Sequence, residues 1–171
     1  MQKEAWRPPS TFEERVKALL IPPQLYIRYK VIKERLKGEA EIRLLSFLVD
    51  RKRNVVDAGA NKGTYTFIFG RLAKKVYAFE PNPKMFDILK RTAGRNVVLS
   101  PLALSNAAGD MEFRVPRYGK HSYSNQGGTL SAIKVNEDYA AMPVKAARLD
   151  GLDLQNIGFI KIDVEGHELD I

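Results

Sequence analysis

Three acids are placed where they could do chemistry. Asp57, Glu80 and Asp163 each follow a short apolar run: Val55-Val56, Val76–Phe79 and Phe159–Ile162. In an open α/β sheet, ligands bind beyond the carboxyl ends of the strands. Three strands that each finish on a carboxylate predict one crevice with three acids on its rim. The first acid opens "DAGANKG", residues 57–63, in which Gly59 and Gly63 permit tight turning and close approach of backbone to a ligand. A helix predicted to follow aims its N-terminal N–H groups at the same crevice.

The acids narrow the ligand. Glu80 stands 23 residues after Asp57, at the end of the second strand, where a carboxylate can accept both hydroxyls of a ribose. A loop for a pyrophosphate begins with glycine and bare amides, whereas this one begins with an anion, which suits a ligand with a cationic end. S-Adenosylmethionine carries an ammonium, a sulfonium and a ribose and no phosphate. The loop therefore reads as a site for an adenosyl ligand without phosphates. Each acid also has a plainer use: Asp57 as a cap on the next helix, Glu80 before Pro81 as a turn residue. Both being inert at equivalent strand ends is the weaker account.

The elements that must position these residues follow from periodicity. Val55-Val56, Val76–Phe79 and Val97–Leu99 read as strands, separated by helices at Thr64–Ala73 and at Pro83–Thr92, the latter closed by Gly94. Strand and helix in alternation imply a parallel sheet with right-handed crossovers. Between Asp110 and Arg148 the pattern loosens. Met111–Val115, Leu130–Val135 and Val144–Arg148 read as short strands around the Gly-rich Asn125-Gln126-Gly127-Gly128, before the last strand at Phe159–Ile162. Ahead of this unit, residues 1–52 form a helical lead-in. Ser10-Thr11-Phe12-Glu13-Glu14 offers a hydroxyl cap with an acid three residues on, and Pro22-Pro23 ends that helix. Leu25, Tyr29, Ile32 and Leu36 recur at helical spacing until Gly38, and Ile42, Leu45 and Val49 share a face of a third helix, Glu39–Val49. The domain boundary is set at residues 52/53.

Composition excludes several classes. The 171 residues are 44% hydrophobic and 28% charged, which fits a folded domain and not a disordered chain. There is no cysteine, so disulfides and thiolate metal sites are out. No apolar run near the start has the length of a signal or a membrane span, and a cytoplasmic location is expected. The net charge of +8 is uneven: residues 1–53 hold 13 Lys and Arg against 7 Asp and Glu, while the remainder holds 15 against 13. The lead-in is thus the basic part. It is either a solvated helical face or a surface for phosphates, of nucleic acid or of anionic lipid at a membrane periphery.

"VVDAGANKGTYT", "AFEPNP", "ALSNAAGDMEF", "RLDGL" and "FIKIDVEGHE" occur in the order and spacing of the FkbM-type methyltransferases, and the chain resembles that family over about residues 39–171. The resemblance implies an α/β fold, a Rossmann-like class I methyltransferase sheet behind the helical lead-in, with S-adenosyl-L-methionine as cofactor. Asp57, Gly59 and Gly63 would form the methionine and ribose loop with Asn61 beside it. Glu80 would hold the ribose hydroxyls, Asn82 would border the adenine, and Ala103, Leu104 and Ser105 would flank its ring. Asp163 would close the crevice near the methyl group. The acceptor implied is a hydroxyl on a sugar, lipid or secondary metabolite. A class I sheet has seven strands, while this chain stops one turn beyond its fourth core strand, so an incomplete sheet with one open flank is expected.

Transfer to a hydroxyl requires alignment, exclusion of water and removal of a proton. "DVEGHE" supplies the candidates Asp163, Glu165, His167 and Glu168. If a helix begins at once, Glu165 and His167 point different ways and one alone faces the crevice. His167 is either the general base, since imidazole titrates near neutrality, or a histidine that touches nothing reacting. Asp163, Glu165 and His167 lack a metal-binding spacing, and no metal site is assigned. "RYGKHSYSNQGG", with His121, is a lid, an acceptor wall or a plain loop. Lys62 is read as solvated, and Lys161 as snorkelling or paired. Two rival readings remain: a nucleic-acid-binding module using the basic lead-in, which lacks an interleaved aromatic platform, and a nicotinamide oxidoreductase, which Asp57 disfavours.

Overall fold

The computed structural model describes residues 7–37, 40–117, 123–124, 127–131 and 138–171. Three helices come first: α1 (Phe12–Leu20), α2 (Pro23–Lys37) and α3 (Glu41–Leu48). Thr11 begins α1 with a reciprocal cap: its Oγ1 accepts the Glu14 N–H at 3.2 Å, and Glu14 Oε2 accepts the Thr11 N–H at 2.9 Å. Next come β1 (Asn54–Ala58), α4 (Thr64–Leu72), β2 (Val76–Phe79), α5 (Pro83–Thr92) and β3 (Val97–Ser100). They are followed by β4 (Leu102–Leu104), β5 (Gly109–Pro116), β6 (Tyr139–Ala147) and β7 (Ile157–Ile162).

The four strands β3-β2-β1-β7 form a wholly parallel sheet, in that order. The chain is thus an α/β protein with a Rossmann-like parallel sheet. The motif-bearing strands β1 and β2 are central, and β7 lies beside β1 although more than a hundred residues separate Asp57 from its register partner Lys161. One face of the sheet packs on helices, where Val55, Val76, Ile68 and Phe69 meet Ile42, Leu45 and Val49. The other face packs Val56, Ala58, Phe79 and Leu104 against Leu149, Leu152 and Ile171.

Strand alternation then decides where the site residues point. Asp57 shares the parity of Val55, Glu80 that of Val76, and Lys161 and Asp163 that of Phe159, which packs on the helix side. All four therefore leave the sheet on the same face, the one covered by α4 and α5.

The loosely patterned middle is a second sheet, β4-β6-β5, with β5 and β6 antiparallel and β4 parallel to β6. Its core is Phe113, Val115, Met142, Val144 and Ala146. The strand expected at Val144–Arg148 is longer and earlier, Tyr139–Ala147, and β4 was not anticipated. Of the strand expected at Leu130–Val135, the described part is not in a strand, and residues 132–137 lie outside the described residues, as do His121, Asn125 and Gln126. The apolar stripe of α2 also differs from a core face. Leu25, Tyr29, Ile32 and Leu36 are exposed, and the fully buried residue is Ile27.

Candidate functional site

Glu80 is the best-built residue of the crevice. It is buried, and its two carboxylate oxygens are held from opposite sides: Oε1 accepts the Asn82 N–H at 2.8 Å and Oε2 accepts the Asn61 N–H at 2.7 Å. Asn61 can aim its N–H there because its backbone is left-handed, with φ 51°. Asn82 caps α5, its side chain accepting the Lys84 N–H at 3.0 Å, which fixes the turn after β2. Burial pushes the Glu80 carboxyl up to about 7, against the pull of those two N–H groups.

Asp57 corrects an expectation. It does not stand on the rim but is sealed beneath α4, 0% exposed. Its parity sends the side chain under that helix, where Thr66 donates to Oδ2 at 2.5 Å. Oδ1 lies 3.7 Å from Nζ of Lys161, an ion pair stretched beyond hydrogen-bond length. Burial raises its pKa, with Lys161 and Thr66 opposing. The cation beside Asp57 is thus supplied by the chain itself, from the partner strand.

Lys161 is the residue that sequence reasoning undervalued. Its Nζ also reaches Asp163 Oδ2 at 3.1 Å and the Gly59 carbonyl at 3.3 Å, and lies 4.9 Å from the centre of the Tyr65 ring. It joins β1 to the segment after β7. A lysine inside an apolar strand, on the same parity as a following acid, was the available signal.

The two glycines serve packing within the protein. A Cβ on Gly59, whose φ is 74°, would stand 2.0 Å from the Asp163 carbonyl oxygen. At Gly63, φ 92°, it would meet Leu89 of α5 at 2.7 Å. Gly59 lets the ends of β1 and β7 touch, and Gly63 seats α4 against α5. Gly59 also lines the crevice, and Gly63 does not.

The crevice that results runs along both sides of the Gly59–Asp163 contact. One part is bounded by Asn61, Glu80, Asn82, Phe113, Gly128 and Asp163. The other is a cleft of about 410 Å³ that reaches Thr64, Tyr65, Lys161 and Glu165. Gly59, Asn61, Asp163 and Glu165 belong to both. Gly128 comes from the Gly-rich segment, held by the paired Arg114–Thr129 backbone bonds of 2.9 Å. A separate hollow of about 380 Å³ between α1, α2 and α5 has no strand-end acid in its wall.

"DVEGHE" divides. No helix begins at once; Glu165 and Gly166 both take positive φ, and Glu168 closes the turn by accepting the Gly166 N–H at 2.9 Å. Asp163 and Glu165 line the crevice. His167 does not: its Nε2 lies 2.9 Å from Ser105 Oγ and its Nδ1 3.0 Å from Asp170 Oδ2. Both ring nitrogens are engaged on the far side of the segment, so His167 is not placed as a base in the crevice. Ala103, Leu104 and Ser105 are likewise not on its wall. Ala103 and Leu104 are buried in two different cores, and Ser105 anchors His167. They belong to β4 and its end, and β4 lies in the second sheet, which explains the misplacement. Among the described residues, no group of three His, Cys, Asp or Glu side chains is placed to hold a metal ion, and no helix is long and apolar enough to cross a membrane.

Comparison with known proteins supplies a family for the chain. Residues 57–171 match the methyltransferase FkbM domain. The hexuronic acid methyltransferase AglP of Haloferax volcanii is 32% identical, over 80% of this chain and 56% of that protein. The methyltransferase sdnD of Sordaria araneosa is 28% identical, over 68% of this chain and 58% of that one. The chain thus spans a little over half the length of these relatives. A solved structure of Haemonchus contortus phosphoethanolamine N-methyltransferase 1, with phosphoethanolamine and S-adenosylhomocysteine, overlaps 53% of this chain and 23% of its own at 14% identity and a TM-score of 0.29.

Proposed function

The chain belongs to the FkbM methyltransferase family, and on that premise we propose that it binds S-adenosyl-L-methionine and methylates a hydroxyl of a sugar, lipid or secondary metabolite. The observation that carries the reading is Glu80: a buried carboxylate at a central strand end, held open to the crevice by the N–H groups of Asn61 and Asn82. Each oxygen has a further lone pair for a ribose hydroxyl. The cofactor assignment from the sequence is revised in two places: Glu80 and Asn82 serve the ribose and base side without Ala103, Leu104 and Ser105, and Asp57 acts through Lys161 and the loop instead of touching the ligand.

When bound, the cofactor supplies an electrophilic methyl group on a sulfonium. The protein's own part is to align the acceptor, exclude water and take the hydroxyl proton. Asp163 and Glu165 are the carboxylates in position for that last step, with Asp163 at the strand end preferred and Lys161 orienting it at 3.1 Å. An acceptor of the carbohydrate class is favoured by the likeness to a hexuronic acid methyltransferase.

Titration calorimetry with S-adenosylhomocysteine tests the binding half. Micromolar affinity, lost in Glu80→Ala, supports it, on the usual scale of small-ligand affinities. Binding that survives Glu80→Ala refutes it. Labelled methyl transfer into a cell extract, followed by product identification, tests the acceptor.

A further inference from the structure

Helix α2 turns its apolar stripe away from the protein. Leu25, Tyr29, Ile32 and Leu36 are 57%, 65%, 57% and 70% exposed, while Ile27 on the opposite side is fully buried. Spacings of four, three and four residues put the exposed set on one face. Arg28, Lys33 and Arg35 are exposed too. At about 100° per residue, Arg28 and Arg35 run along one margin of the stripe and Lys33 along the other. The acid of the helix, Glu34, lies on the inner half. Leu44, Phe47 and Leu48 of α3 are exposed as well. An exposed apolar stripe like that of α2, rimmed by charge, marks an interaction surface.

The charge pattern selects the occupant. A second copy of the chain would set the same cations against one another. Nucleic acid offers phosphates but no hydrocarbon for Leu25, Ile32 and Leu36. An anionic bilayer offers both at the right depths: acyl chains for the stripe, phosphates for the cations that border it, and a headgroup layer for Tyr29. We infer that α2 lies in the plane of an anionic lipid surface, its stripe in the acyl boundary and Arg28, Lys33 and Arg35 at the phosphates. The inference stands apart from the methyl-donor reading, because neither the stripe nor its three bordering cations lines the crevice, whose wall takes Lys30 and Glu34 from the inner half of α2.

Cosedimentation of the 171-residue chain with vesicles tests it, using phosphatidylcholine alone against phosphatidylcholine with about a third phosphatidylglycerol. Binding is expected to the anionic vesicles only, and to weaken with salt. The triple variant Arg28→Gln, Lys33→Gln, Arg35→Gln should bind about a hundredfold more weakly, at about fivefold per cation. Leu25→Ser, Ile32→Ser, Leu36→Ser should abolish binding, and the single Ile32→Ser should weaken it. All these positions are exposed, so circular dichroism should not change. Absence of binding to anionic vesicles at low salt overturns the inference, as does equal binding to neutral vesicles or indifference to every variant. A dimer that the serine variant dissolves, without vesicle binding, also overturns it.

Discussion

On the β1–β2 side, Asp57 is buried beneath the crevice and Glu80 is buried on its wall: Thr66 donates to the first, with Lys161 3.7 Å away, and two backbone N–H groups hold the second. On the β7 wall, the Asp163 side chain is 53% exposed, and the turn that follows it is held by Glu168. On the function proposed above, the difference separates holding from reacting. A ligand that must be fixed needs groups whose positions are set in advance, and burial with hydrogen bonds does that at the expense of raised carboxyl pKa values. A group that takes a proton from an incoming acceptor must be reachable. Gly59 is where the two walls meet.

The strongest way to break this division is to part the walls. Gly59→Ala places a methyl group 2.0 Å from the Asp163 carbonyl oxygen and demands positive φ of an alanine. We expect a loss of more than about 4 kcal/mol, read as a collapse of the urea midpoint together with donor binding. Near-normal stability would mean the walls are not clamped at this residue.

Asp163→Asn tests the reactive wall alone. Methyl transfer by the whole enzyme should fall by about 10² to 10⁴, as for removal of a general base, while the dissociation constant for S-adenosylhomocysteine stays within about threefold. Weakened donor binding with unchanged turnover would reverse the assignment of the walls.

Lys161→Met removes the tie between them and leaves Asp57 buried without its cation. Denaturant unfolding should show a loss of about 2–3 kcal/mol, below the range for a fully buried pair because Lys161 is partly exposed. Asp57→Asn in the same chain should restore part of it. If the double variant is no better than the single, the two residues are not coupled.

Glu80→Gln sharpens the holding wall through pH. The folded carboxyl titrates near 7, above its ordinary 4.5, so its favourable contribution is full below 4.5 and is lost as pH rises to 7. Ribose hydroxyls favour the ionised form. Affinity for S-adenosylhomocysteine should therefore rise with pH, approaching about tenfold per unit below 7, and level off above it. Glu80→Gln should bind more weakly with a flat profile. A flat profile in the unaltered chain would rule out the carboxylate as the ribose acceptor.

The parallel sheet was legible because its strands and helices differ in period and each strand ends at a punctuating residue. Glu80 and Asp163 were legible for the same reason. Asp57 was legible as a residue but not as a buried one: its orientation depends on parity relative to α4, which needs the packing of Val55 to be known. Ala103–Ser105 misled because the adjoining β4 lies in another sheet, a long-range pairing with β6 that local pattern does not carry. His167 was open to two readings, and its contact with Ser105 spans 62 residues of sequence. The stripe of α2 shows the limit of periodicity most simply. Spacing establishes that four side chains share a face, but not whether the face looks inward.

An acid poised near neutrality has a thermochemical consequence. If loading the crevice ionises Glu80, a proton leaves for the buffer with each molecule captured. The observed heat then includes the buffer's own enthalpy of protonation and shifts between phosphate and Tris at one pH, with a slope that counts the protons exported.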